Sequence, residues 1–89
     1  MPTRLATVAS SVGLHARPAA VLTTAVNESG LDVTVALGSG APVDAGSILE
    51  VMTLGAEHGD QVTLSADGDG ADELLDRLVV LLSRDLDVQ

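Results

Sequence analysis

Two six-residue stretches constrain this chain more than anything else in it. DVTVAL at 32–37 and QVTLSA at 61–66 both alternate with a period of two. Val33, Val35 and Leu37 point to one side of the first stretch, and Asp32, Thr34 and Ala36 to the other. Val62, Leu64 and Ala66 form the apolar side of the second. Strands of this kind have one covered and one solvated face, so something else in the chain must do the covering. Residues 70–86 supply a helix, with Ala71, Leu74, Leu75, Leu78 and Leu82 in one stripe. Asp69, Asp72 and Glu73 stand at its start and Arg84 at its end, as the helix dipole favours, and Glu73 and Arg77 are spaced as an i,i+4 pair. Residues 16–28 form another helix with Ala19, Leu22 and Val26 on one face, and Gly30 suits the position just past its end. Residues 47–54 form a short third helix. It opens on Ser47-Ile48-Leu49-Glu50, the spacing of a capping box, and stops at Gly55.

TRLATVA at 3–9 is a less distinct strand, since neither of its faces is clearly polar. Gly38-Ser39-Gly40 is a turn, and the PVD that follows is a short return strand with Pro42 at its start or on an edge. The order is β-α-β-β-α-β-α. It predicts an α+β fold: a four-stranded antiparallel sheet with three helices on one face.

Length and composition narrow the function. Eighty-nine residues suit one domain with a modest core. With no aromatic residue, that core is built from Val, Leu, Ile, Ala and Met. With no cysteine, neither a disulfide framework nor a thiolate metal site is available. A net charge of -9 without a single lysine argues against nucleic acid, whose phosphates need a basic footprint and whose bases stack on aromatic rings. No apolar run approaches the roughly 18–20 residues of a membrane span. MPTRLATVASS lacks the apolar segment of a signal peptide, so a cytoplasmic location is expected.

The chemistry concentrates in VGLHARPAA at 12–20. Pro18 is tolerated in the first turn of a helix, which puts His15 at or beside the N-cap. An N-cap residue normally offers a side-chain oxygen to the free N–H groups of the first turn, and histidine offers none. A phosphoryl group carried on His15 would supply oxygens in that place. The N–H groups of Ala16 and Arg17 would meet it, and the dipole would favour its charge. Arg17 adds a planar, permanently charged fork suited to phosphate. The same helix end disfavours imidazolium and keeps the ring neutral and nucleophilic. The plainer alternative is a loop histidine and a solvated arginine.

GLHARPAA resembles the active-site signature of the HPr family, the histidine-containing phosphocarriers of the phosphoenolpyruvate-dependent sugar phosphotransferase system. GSILEVMTLGAEHGDQVTLSADG resembles the family's second motif, from a serine through a short helix to a strand. The resemblance covers essentially the whole chain and implies one HPr-like domain over 1–89, folded as an open-faced β-sandwich. It implies that His15 accepts a phosphoryl group on Nδ1 from phosphorylated enzyme I and passes it to enzyme II A domains for sugar uptake. Arg17 would stabilise the transferring charge. The chain would be a carrier rather than an enzyme, needing no cofactor and no metal and acting as a monomer. The matching partner-binding positions are Ala16, Ala20, Leu49, Met52 and Thr53, with Leu49 expected to be exposed. Ser47 matches the serine that a regulatory kinase phosphorylates in some members. Its own capping box favours a structural role, and Glu50 would repel a phosphate there.

The chain also departs from the family pattern. Thr24, Asn27 and Glu50 stand where many members carry lysines or small residues, so recognition should be apolar and weakly steered by charge. His58, in GAEHGD, reads as a solvated loop residue rather than a metal ligand. DGDGADELLD lacks the glycine and the final carboxylate of a calcium loop, since Asp72 and Leu78 occupy those positions. Three other readings stand beside the carrier. One is an acyl-carrier-like protein using Ser47, which would be all helical. Another is a non-phosphorylated module of the same fold. The third is a carrier in a nitrogen- or dihydroxyacetone-linked phosphorelay.

Overall fold

The computed structural model describes residues 2–10 and 13–84. Its elements run β1 (Thr3–Thr7), α1 (Ala16–Ser29), β2 (Val33–Leu37), β3 (Val43–Asp44), α2 (Ile48–Thr53), β4 (Gln61–Ala66) and α3 (Ala71–Leu82), in the order the sequence predicts. The four strands form one antiparallel sheet, ordered β1-β4-β2-β3. The three helices cover one face of it, which makes an open-faced sandwich.

Register assigns every strand residue to a side. Ala6 lies opposite Val62, which lies opposite Leu37. Arg4 lies opposite Leu64, which lies opposite Val35, and Val35 in turn meets Val43. These residues share the helix face. The core joins Val33, Val35, Val62, Leu64 and Ala66 of the sheet to Leu22 and Val26 of α1, Val51 of α2, and Leu74, Leu75, Leu78 and Leu82 of α3. Each fully buried leucine or valine contributes roughly 1.5–3 kcal/mol relative to exposure. The other face carries Thr3, Leu5 and Thr7 of β1, Thr63 and Ser65 of β4, and Thr34 and Ala36 of β2. It is a face of hydroxyls and small apolar groups. Ala36 belongs to this open side, as its alternation predicts. It is nonetheless only 8% exposed, because a methyl is overtopped by larger neighbours such as Thr63 opposite it.

Local chemistry sets the boundaries. α1 runs one residue beyond the expected 28 and closes on Gly30, whose φ of 74° is the left-handed turn a glycine adopts without strain. β1 stops at Thr7 rather than at Ala9. Val8 still exchanges hydrogen bonds with residues 59–60, while the Ala9 amide turns to the Leu82 carbonyl at 2.9 Å. α3 begins at Ala71 and ends at Leu82, so Ser83 and Arg84 lie past the helix, and residues 85–86 of the expected span lie outside the described residues. The amide of Ser83 reaches Val79 O at 3.0 Å and its hydroxyl reaches Val80 O at 2.9 Å, which together close the last turn.

One expected pairing is not made, and another is made only in part. Glu73 and Arg77 form no ion pair among the described residues. The carboxylates of α3 serve β1 instead: Arg4 bonds Asp76 at 3.0 Å and Asp72 at 2.9 Å. Those two hydrogen bonds, Asp76 first, raise the guanidinium pKa further above its ordinary value. The capping box is also only half formed. Ser47 Oγ accepts from the Glu50 amide at 3.4 Å, but the Glu50 carboxylate turns to the Asp44 amide at 3.2 Å, and the Ser47 amide donates to Asp44 O. The all-helical alternative ends here, because the period-two stretches are paired strands.

Candidate phosphorylation site

His15 is the N-cap of α1, as its sequence context predicts. Its backbone is extended (φ −128°, ψ 161°), and its side chain makes no capping hydrogen bond. The residue is half-buried. No acidic residue occupies the first turn of the helix. The first N–H groups of any helix have no intrahelical acceptor, and here Pro18 removes one of them altogether. The Ala16 and Arg17 amides are left as donors at the positive end of a 14-residue helix. Pro18 and Ala19 are buried, which fixes the first turn against the core, while Arg17 is exposed beside the histidine.

Arg17 also heads an open groove of about 360 Å³ between α1 and the end of α3. The groove is floored by Ala20, Thr24 and Leu81 and ends at Glu28. Ala20 thus lies on the exposed flank of α1, within two turns of His15.

α2 runs antiparallel to α1. Asn27 near the end of α1 donates from Nδ2 to Gly46 O, just ahead of α2, at 3.2 Å. Leu14 just ahead of α1 donates to Ala56 O, just past α2, at 2.9 Å. The C-terminal end of α2, with Met52 and Thr53, therefore lies towards His15, and Ser47 lies towards the far end of α1. Leu49 is 74% exposed, as expected, with Ile48 at 38% and Met52 at 37% beside it. Thr53 is exposed, and its hydroxyl donates to Glu50 O at 2.6 Å. Of the positions singled out from sequence, Arg17 and Ala20 lie within two turns of His15 on α1, and Met52 and Thr53 stand at the end of α2 that points towards it. Ser47 stands apart. Ala16 opens α1 directly after His15.

Two features escape the sequence reading. His58 is exposed, but it is not merely solvated: its Nδ1 lies 3.1 Å from Ala9 O. Gly13 has φ 73° and lies against the main chain of residues 56–57. A glycine two places ahead of the histidine is the only sequence signal of that approach. Among the described residues there is no group of three or more His, Cys, Asp or Glu able to hold a metal ion, and no helix is long and apolar enough to cross a membrane.

The open-faced β-sandwich, its first helix opening on a histidine, is shared with small phosphocarrier proteins. The family model for the HPr component phosphorylation site of the phosphotransferase system matches residues 2–84. The phosphocarrier protein HPr of Streptomyces coelicolor is 40% identical over 98% of this chain and 94% of its own length. The multiphosphoryl transfer protein of Vibrio cholerae is 36% identical over 89% of this chain, which corresponds to 20% of that longer protein. The crystal structure of HPr from Bacillus anthracis superposes with a TM-score of 0.85 at 30% identity, covering 91% of this chain and 95% of that one. The chain belongs to the HPr family of phosphotransferase-system phosphocarriers.

Proposed function

We propose that this chain takes a phosphoryl group on His15 Nδ1 from phosphorylated enzyme I and delivers it to the A domain of a sugar-specific enzyme II in the cytoplasm. The observation that carries the reading is the N-cap of α1: a half-buried histidine without a capping bond, at a helix end with no acidic residue in its first turn. In the first step the Nδ1 lone pair attacks phosphorus. The bond from phosphorus to the donor breaks with its electron pair, and no water enters. The second step is the reverse displacement, with the acceptor as nucleophile. The amides of Ala16 and Arg17 and the Arg17 guanidinium are donors for the charged oxygens throughout.

Docking falls to Ala16 and Ala20 on α1 and to Leu49, Met52 and Thr53 on α2. A small apolar patch suits a carrier that must release each partner quickly. Ser47 acts as the N-cap of α2 rather than as a regulatory phosphosite, since the carboxylates of Asp44 and Glu50 are bonded to the amides around it. The chain works as a monomer.

The test is incubation with phosphoenolpyruvate and enzyme I of Streptomyces coelicolor, followed by intact mass. Wild type should gain one acid-labile phosphoryl group, and His15→Ala should gain none while keeping its fold. Arg17→Ala should slow transfer by roughly 10²-fold, and Leu49→Asp should raise KM without lowering thermal stability. A stable mass gain, or one that survives His15→Ala, would sink the reading.

A further inference from the structure

Between the end of β1 and the start of α1, the described residues 8–10 and 13–15 belong to no strand or helix, and they lead into His15. Among the described residues, the Ala9 amide bonds Leu82 O of α3 and the Gly13 amide bonds Ser10 O, while the other backbone bonds of the segment reach the loop between α2 and β4. Val8 donates to Asp60 O at 2.9 Å and accepts from the Gly59 amide at 2.8 Å. Ala9 O accepts from His58 Nδ1 at 3.1 Å. Leu14, wholly buried, donates to Ala56 O at 2.9 Å. A carbonyl oxygen only accepts, so Nδ1 carries the proton in the His58 contact.

Gly13 lets this approach happen. A Cβ at that position would lie 2.3 Å from Ala56 O and 2.8 Å from Glu57 Cα. Both are main-chain atoms that cannot swing aside, and the φ of +73° already excludes most side chains.

The loop beneath is itself braced. Glu57 N donates to Asp60 Oδ2 at 2.9 Å and Asp60 N to Glu57 O at 3.0 Å, and Ala56 is fully buried. It continues directly from α2, whose exposed Leu49 and Met52 belong to the proposed docking patch.

We propose that residues 55–60 form a bed that sets the pose of His15, with Gly13 and His58 as its positioning residues. A partner that grips α2 thereby finds the histidine at a fixed height and direction relative to its grip. The proposal rests on His15 being the phosphorylated residue. It adds that the catalytic geometry is held by main-chain contact from another part of the chain.

The test compares His58→Ala, His58→Gln and Gly13→Ala with wild type. Three measurements are made: thermal melting, the ring-nitrogen chemical shifts of His15 by NMR on the isolated protein, and steady-state phosphorylation by Streptomyces coelicolor enzyme I. Because His58 is exposed, its removal should leave the fold intact. It should move the His15 ring-nitrogen shifts and lower kcat about 5-fold, the rate equivalent of one hydrogen bond of about 1 kcal/mol. KM should hold, since the α2 patch is untouched. Glutamine, whose amide can donate to Ala9 O, should restore both readouts. Gly13→Ala should lower kcat by at least about 10-fold; if it fails to fold, the His58 variants decide.

Wild-type kcat and wild-type His15 shifts in His58→Ala would overturn the proposal. So would a lowered melting temperature with both of those unchanged, because that is a structural role alone. Shifted His15 resonances in a protein that no enzyme I phosphorylates would instead overturn the carrier reading and leave the bed standing.

Discussion

Thr23 shows at the scale of one residue how this protein carries local costs. Its Oγ1 is buried in α1 and has no hydrogen-bond partner among the described residues. An unsatisfied buried hydroxyl costs roughly 1–3 kcal/mol, and an apolar group of the same shape avoids that cost. Thr23→Val should therefore stabilise the fold by about 1 kcal/mol, raising the melting temperature by roughly 4–8 °C; calorimetry showing no rise would mean that the hydroxyl has a partner. Individual roles were unevenly legible in the sequence. His15 was readable because Pro18 fixes where a helix starts, and a start without a capping oxygen is conspicuous. His58 and Gly13 were not, because their partners, Ala9 and residues 56–57, lie more than forty residues away along the chain. No periodicity or short motif encodes a contact of that kind.

Among the elements, legibility followed the strength of the periodic signal. The stripe of α3 and the alternation of β2 and β4 placed those elements to within a few residues, since each rests on a face that has to be buried. What failed was the identity of polar partners. The i,i+4 spacing of Glu73 and Arg77 competes with solvent, whereas Arg4, held on β1 opposite Leu64, meets two α3 carboxylates at once. The capping box of α2 likewise lost its second half when the Glu50 carboxylate turned to Asp44 N, an amide just upstream of α2. Ser47 therefore caps with a single long bond of 3.4 Å. Ser47→Ala should cost only about 0.5 kcal/mol, the low end for loss of a cap, and Ser47→Asp should recover it. Denaturant melts of the two variants check this, and a loss several times larger in the alanine variant would show a firmer cap than the geometry gives.

At the scale of the whole molecule, charge and shape act together. Of four arginines, Arg4 is engaged with α3, and Arg17 is the cation beside His15. The net charge of -9 is spread over helices and loops, while the flank that presents Leu49, Ile48 and Met52 is apolar. Electrostatic steering speeds association when an interface offers a strong charged patch, and such rates fall steeply with salt. The proposed docking flank offers little to steer with. The phosphorylation rate by enzyme I should change less than about 3-fold between low and physiological ionic strength, where screening lengths shorten from about 30 to 8 Å. A steep decline across that range would reveal a charged contact outside the α1–α2 flank.

The bare side of the sheet has a practical consequence. Because all three helices and His15 lie on or beyond the other side, a probe mounted on the hydroxyl face stays out of the way of docking. Leu5, 63% exposed there on an edge strand, is a natural mounting point. With no tryptophan, tyrosine or phenylalanine anywhere in the chain, an indole placed at that position would be the protein's sole intrinsic fluorophore, reporting on sheet integrity against a dark background.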